Sequence, residues 1–137
     1  MKKLSLFVAL LAVSAAHARQ LTIEPGGAVN DLKVAIEALE VGDTLWVKSG
    51  TYQLSDMINV RHSGNRHHRI CVFGYDTEKD KKPSVNPVFD FSQQPHTGDD
   101  AAKQFRGVLQ NPNADYWYWR DIDIFQRLYI SAYSNRD

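Results

Sequence analysis

Apolar residues in this chain follow two different periods, and the change between them divides it. From Asn30 to Glu40, Leu32, Ala35, Ile36 and Leu39 recur at helical spacing and share one helix face. Asn30 or Asp31 offers a side-chain oxygen to cap the start, and Gly42 stops the helix. Beyond Gly42 the period falls to two. Short apolar runs at Thr44 to Lys48, Met57 to Val60, Ile70 to Phe73 and Val88 to Phe91 read as strands. So do Arg106 to Leu109, Tyr116 to Trp119, Ile122 to Phe125 and Leu128 to Ile130. Turn residues separate them: Ser49-Gly50, Ser63-Gly64-Asn65, Pro83, Pro87, Gly98-Asp99 and Asn111-Pro112-Asn113.

Strands with no helical pattern between them exclude a doubly wound α/β sheet. A sandwich, a barrel or a β-solenoid remains, all of them all-β. Two features favour the solenoid. The helix comes just before the first strand, where a solenoid needs a cap over its open apolar end. The connections vary from about two residues to about ten, and the chain has no Asn-Gly or Asp-Gly dipeptide of the kind that closes tight hairpins. Within Thr44 to Lys48, Leu45 and Val47 alternate with Thr44, Trp46 and Lys48, so one face points inward. Gly50 permits a positive φ at the corner that follows.

The first residues belong to a different class of signal. Lys2 and Lys3 precede an apolar stretch from Leu4 to Ala16, and the stretch closes on Ala16-His17-Ala18. It is too short for a membrane-spanning helix, which needs about 20 residues, and has the order of a cleavable signal peptide. The alternatives are a buried N-terminal helix or a retained anchor. We expect residues 1–18 to be removed by cleavage after Ala18, which places the protein in the periplasm or outside the cell. Removing 18 of 137 residues leaves 119, and losing Lys2 and Lys3 leaves 14 basic against 16 acidic groups. No later segment is apolar enough to span a bilayer.

Composition adds less. A chain of 137 residues, 43% hydrophobic, is one globular domain rather than two or a disordered chain. Equal numbers of Lys+Arg and Asp+Glu argue against nucleic-acid binding through a basic surface. The single Cys71 excludes an internal disulfide and a Cys-pair zinc site. It lies in the apolar run Arg69-Ile70-Cys71-Val72-Phe73 and reads as a buried, inert thiol, with a reactive or intermolecular thiol as the alternative.

The stretch GDTLWVKSGTYQLSDMINV, Gly42 to Val60, resembles the opening coil of exported right-handed parallel β-helix proteins. It is most similar to pectate-lyase-like, family-nine polysaccharide lyases, in which Gly-Asp-Thr, a strand, Gly-Thr-Tyr and another strand follow in order. Ser63-Gly64, Pro87-Val88-Phe89-Asp90-Phe91-Ser92, Arg106-Gly107-Val108 and Tyr116-Trp117-Tyr118-Trp119 before Ile122-Asp123-Ile124 continue the likeness, from Ile23 to Phe125. The resemblance implies an N-terminal helical cap followed by a right-handed parallel β-helix, residues 19–137. At about 20–25 residues per coil the chain holds about four coils. By analogy with the family pattern Trp117 and Trp119 point inward and Tyr116 and Tyr118 outward. Ile122 and Ile124 then stack inside, with Asp121 and Asp123 facing solvent.

In that family the activity is β-elimination on pectate or another uronate polymer. Calcium held by Asp carboxylates binds the sugar carboxylate, and a Lys or Arg removes the C5 proton. Those ligands and that base lie on later coils, so no calcium ligand and no catalytic residue is carried over to any position here. Phe125 leads almost directly to Leu128, where the family has a Gly- and Asn-containing linker. The expectation is an N-terminal portion of such a lyase, truncated before its catalytic coils, inactive alone and a monomer if complete. The alternative is a non-catalytic carbohydrate-binding or structural β-domain.

Several side-chain groups invite closer reading. Asp121 and Asp123 place two carboxylates about 7 Å apart on one strand face, either as ligands or as a solvated face. Asp76, Glu78 and Asp80 are interleaved with Lys79, Lys81 and Lys82 and read as a solvated loop. His62, His67 and His68 have metal-ligand chemistry, but Arg61, Arg66 and Arg69 among them repel a cation. The same guanidinium groups suit the carboxylates of an acidic polysaccharide. Arg61 and Arg66, with Tyr116 and Tyr118 as outward rings for sugar stacking, are therefore the candidate carbohydrate contacts.

Overall fold

The computed structural model describes residues 18–26, 31–94, 107–125 and 128–130, the last three as backbone. The leader segment up to His17, the cap candidate Asn30, Arg106 and the Gly98-Asp99 turn lie outside them.

Among the described residues ten strands and one short helix follow in order. They are β1 (Gln20–Ile23), α1 (Leu32–Glu37), β2 (Thr44–Lys48), β3 (Thr51–Gln53), β4 (Ile58–Val60), β5 (Ile70–Tyr75) and β6 (Val88–Asp90). Then come β7 (Val108–Gln110), β8 (Trp117–Arg120), β9 (Asp123–Phe125) and β10 (Leu128–Ile130). The protein is mostly strand with little helix, an all-β architecture. Among the described residues no helix is long and apolar enough to cross a membrane.

Among the described residues every strand pair is parallel. The first sheet has the order β1-β2-β5-β8, the second β3-β6-β9 and the third β10-β7-β4. From β2 onward the chain therefore visits the first, second and third sheets in strict rotation, three times. With β1 beside β2, the first sheet holds four strands among the described residues, and the links between its strands are long. Thr44 pairs with Cys71 and Cys71 with Tyr118, so successive first-sheet strands are offset by 27 (71 − 44) and then 47 (118 − 71) positions.

The period-two alternation sets what is inside. Leu45 and Val47 of β2, Ile70 and Val72 of β5, Phe89 of β6, and Ile58 and Val60 of β4 are buried, together with Val108 of β7. They form one core with Ile23, Tyr52 and Phe91. Each such side chain contributes about 1.5–3 kcal/mol when fully buried. Trp117 and Trp119 pack against that core, their rings stacked 5.5 Å apart, and Ile122 and Ile124 join them. The buried Tyr52 hydroxyl donates to the Lys48 carbonyl at 2.7 Å and stands 3.3 Å from that of Ile23. At Gly50, φ is +142°, and a Cβ would come within 2.5 Å of Pro25, so glycine is required where β2 bends into β3.

Helix α1 is shorter than the apolar pattern predicts. Asp31 caps it by accepting from the Val34 N–H at 3.1 Å, while Leu39, still buried, falls beyond its last turn. It covers the free edge of the third sheet at β4. The Glu37 carboxylate accepts from the Asn59 N–H at 2.8 Å, and Lys33 Nζ donates to the Met57 carbonyl at 2.9 Å. A backbone group of the edge strand and the carbonyl just before it, which would otherwise face water or a foreign strand, are thereby paired.

Candidate functional site

Because Leu21, Leu45, Val72 and Trp119 fill the inner row of the first sheet, the intervening residues stand in register on its outer face. One outer row runs Thr22–Trp46–Phe73–Arg120 and the next Gln20–Thr44–Cys71–Tyr118, with Lys48 beside Tyr75. The result is an aromatic surface. The Trp46 and Phe73 rings meet edge-on at 5.3 Å, Phe73 and Tyr118 at 5.3 Å, and Trp46 and Tyr75 at 6.4 Å. Such contacts hold the rings in fixed orientations.

Cations flank the rings. The Arg120 guanidinium lies 4.1 Å from the Phe73 ring centroid, and Arg120 Nε is 3.3 Å from the Asp121 carboxylate. Lys79 reaches over from the loop after β5. Its ammonium is 5.8 Å from the Tyr75 centroid and donates to Thr22 Oγ1 at 2.7 Å. Trp46 Nε1 donates to Gln20 Oε1 at 2.9 Å, which fixes the indole. Trp46, Phe73 and Tyr118 beside these cations offer both stacking and charge to a ligand, whereas Tyr75 is itself buried.

Cys71 belongs to this face and not to the core. Alternation turns Ile70 and Val72 inward, so the thiol sits half-buried beside Thr44, which corrects the buried-thiol expectation. Partial burial pushes its pKa up, against a Thr44 hydrogen bond and the nearby Arg69 and Arg120 charges, which pull it down. The thiolate is correspondingly scarce near neutral pH.

The four predicted contacts do not share one surface. Tyr118, 44% exposed, belongs to the aromatic face. Tyr116, 49% exposed, sits at the corner before β8 with φ +60°. Its loop packs on the 61–69 loop, where the Gly64 N–H donates to the Asp115 carbonyl at 3.0 Å and Trp117 Nε1 to that of His62 at 2.7 Å. Arg66 is exposed on that second loop. Arg61 follows β4 and lines a shallow pocket of about 370 Å³ with Lys33, Glu37 and Asp56.

The other groups resolve into local structure. His62 Nδ1 bonds the Leu39 carbonyl at 2.8 Å, and Asn65 Oδ1 accepts from the His67 and His68 N–H groups, both at 2.9 Å. Asp76 accepts from the Thr77 and Ser84 N–H groups, Ser84 at 2.6 Å, and these bonds hold its carboxyl below the usual range. Glu78 pairs with Lys81 at 2.8 Å. Asp123 accepts from Asn86 Nδ2 at 3.2 Å. Asp121 does not face solvent on a strand as expected. It precedes β9 at a corner with φ +56°, its side chain 18% exposed beside Arg120. Among the described residues no group of three or more His, Cys, Asp or Glu could hold a metal ion.

Sequence reasoning missed Trp46, Phe73, Lys79 and Arg120 as site residues. The signal of the three strand residues was present as outward positions of alternating strands, while Lys79 lies in the loop after β5, and only the register between distant strands shows that they adjoin.

No family model, curated protein or solved structure matches the chain.

Proposed function

We propose that the three-sheet rotation is a right-handed parallel β-helix with α1 as its N-terminal cap, and that the exported chain binds an acidic, uronate-type polysaccharide. The observation that carries the binding is the outer row Trp46–Phe73–Arg120, with Tyr118 beside it. Sugar rings present C–H faces that stack on aromatic rings, and uronate carboxylates pair with guanidinium and ammonium groups. A parallel ladder of such positions suits a linear polymer lying across the strands. Pectate comes first by the resemblance of Gly42 to Val60 to pectate-lyase-like proteins. The reading gives this chain the polysaccharide-binding role and assigns no described residue to calcium or to a catalytic base.

Sedimentation with insoluble polygalacturonate tests it, with a neutral β-glucan as control. Retention on the polyuronate is expected, weakened at high salt because exposed charges are screened. Arg120→Ala and Tyr118→Ala should each lower it several-fold. No retention, or equal retention on the neutral polymer, would overturn the proposal. Release of unsaturated sugar ends in the presence of calcium would show turnover and overturn the binding-only role.

A further inference from the structure

Asp43 is a buried carboxylate, 2% exposed, whose partners are unusual in coming mostly from Arg19, the residue just before β1. Its Oδ2 accepts from Arg19 Nη2 at 2.6 Å, Arg19 Nε at 3.1 Å and the Glu40 N–H at 2.9 Å. Its Oδ1 accepts from the backbone nitrogen of Arg19 at 2.9 Å. The Thr44 N–H donates to the Arg19 carbonyl at 2.9 Å, and Arg19 Nη2 also reaches the Ala38 carbonyl at 3.2 Å. Arg19 is thus held on both sides of its backbone nitrogen. Ala18 is exposed and rests beside Gly42.

That nitrogen is the atom that cleavage after Ala18 would release. We infer that the α-amino group freed at Arg19 is a structural ion-pair partner of buried Asp43, so that removal of the leader strengthens the junction of β1 with β2. The inference rests on the export reading above. Hydrolysis of the Ala18–Arg19 peptide consumes one water, leaves the carboxylate on Ala18, and frees the Arg19 nitrogen, which takes up a proton. A neutral amide donor at Oδ1 becomes an ammonium at the same place. A charged donor bonds a carboxylate about twice as strongly as a neutral one.

The new terminus would lie near the Arg19 guanidinium and the Glu40 carboxylate, with His68 beside Gly42. These groups are present whether or not the chain is processed, so a comparison of forms removes them. The Asp43 carboxylate favours the ammonium, so the folded α-amino pKa stands above its usual value of about 8. The added stability is therefore complete below about pH 8 and lost as pH rises through the folded pKa.

The experiment uses the full chain exported from a secreting host, with the first residue read by mass spectrometry and unfolding followed thermally from pH 6 to pH 10. One comparison variant carries an alanine inserted between Ala18 and Arg19, which moves the terminus one residue away from Asp43. A second is Asp43→Asn. At neutral pH the protein beginning at Arg19 should melt roughly 4–8 °C above the insertion variant, the effect of about one such bond in a domain this small. The gap should close in alkali and be absent in the Asp43→Asn background. Equal melting of the two forms at all pH values, with Arg19 confirmed as the first residue, would overturn the ion pair and leave export standing. A first residue other than Arg19 would overturn the cleavage reading itself.

Discussion

The carbonyl oxygen of Asp121 lies 1.9 Å from the position that a Cβ on Gly74 would occupy. Gly74 is an interior residue of β5, where glycine ordinarily weakens a strand, and its inner neighbour across the sheet is Val47. The chain turns at Asp121, one position after the Phe73–Arg120 pair, and its backbone enters the space where a side chain on Gly74 would stand. Gly74→Ala should therefore force the β8–β9 corner outward and cost about 1–3 kcal/mol, measured as a lower urea midpoint. An unchanged midpoint would mean that the corner gives way freely.

Glu37 and Asn59 form the second contact open to test. Glu37→Gln keeps an acceptor oxygen for the Asn59 N–H, whereas Glu37→Ala leaves an edge-strand donor unpaired and frees Lys33 from its 2.6 Å ion pair. The alanine variant should lose about 1–2 kcal/mol and the glutamine variant less than half of that. Hydrogen exchange at the Asn59 amide gives the local readout, and equal exchange in all three proteins would contradict the cap.

Asp43 should contribute to the acid limb of stability. Burial alone would raise its pKa, but the Arg19 side-chain bond and the Glu40 and Arg19 backbone N–H groups outweigh burial and hold it below the ordinary 3.8. A depressed folded value contributes stability that is present above the unfolded pKa and disappears as pH falls through the folded one. Asp43→Asn should be less stable than the parent at pH 7, with the difference shrinking below about pH 4. A difference that stays constant down to pH 2 would show that the carboxylate's charge is not what matters.

Tyr52→Phe removes the hydroxyl that donates to Lys48 while keeping the ring against Phe89 at 6.1 Å. A loss of about 1 kcal/mol is expected in chemical denaturation, the usual net worth of one buried hydrogen bond. A larger loss would place part of the β2–β3 corner's stability in that single contact.

The local pattern made most elements legible. Strand β2 falls on the predicted Thr44 to Lys48, and β10 on Leu128 to Ile130. The helix face Leu32, Ile36 and Leu39 is buried as its spacing implies. Strand β1 escaped because Gln20–Ile23 holds only four residues next to the leader, and β3 because Thr51–Gln53 buries one residue between two exposed ones. Neither gives a periodic signal of its own. Tyr118 was legible as an outward ring, but its neighbours Phe73 and Arg120 were not.

What the sequence determined by itself is what repeats within a few residues: the strand runs, the inward face of each, and the glycine at the Gly50 corner. These follow from the two-residue period of a strand and from steric limits on φ, which act locally. Only the tertiary structure decided which strands lie side by side. First-sheet neighbours are separated by 27 positions in one step and 47 in the next, so no fixed spacing announces them. The aromatic face, the Glu37 cover over β4 and the Arg19–Asp43 contact all depend on that long-range register. It is set by how the connecting segments close and how the core packs, and neither is written in a short window of chain.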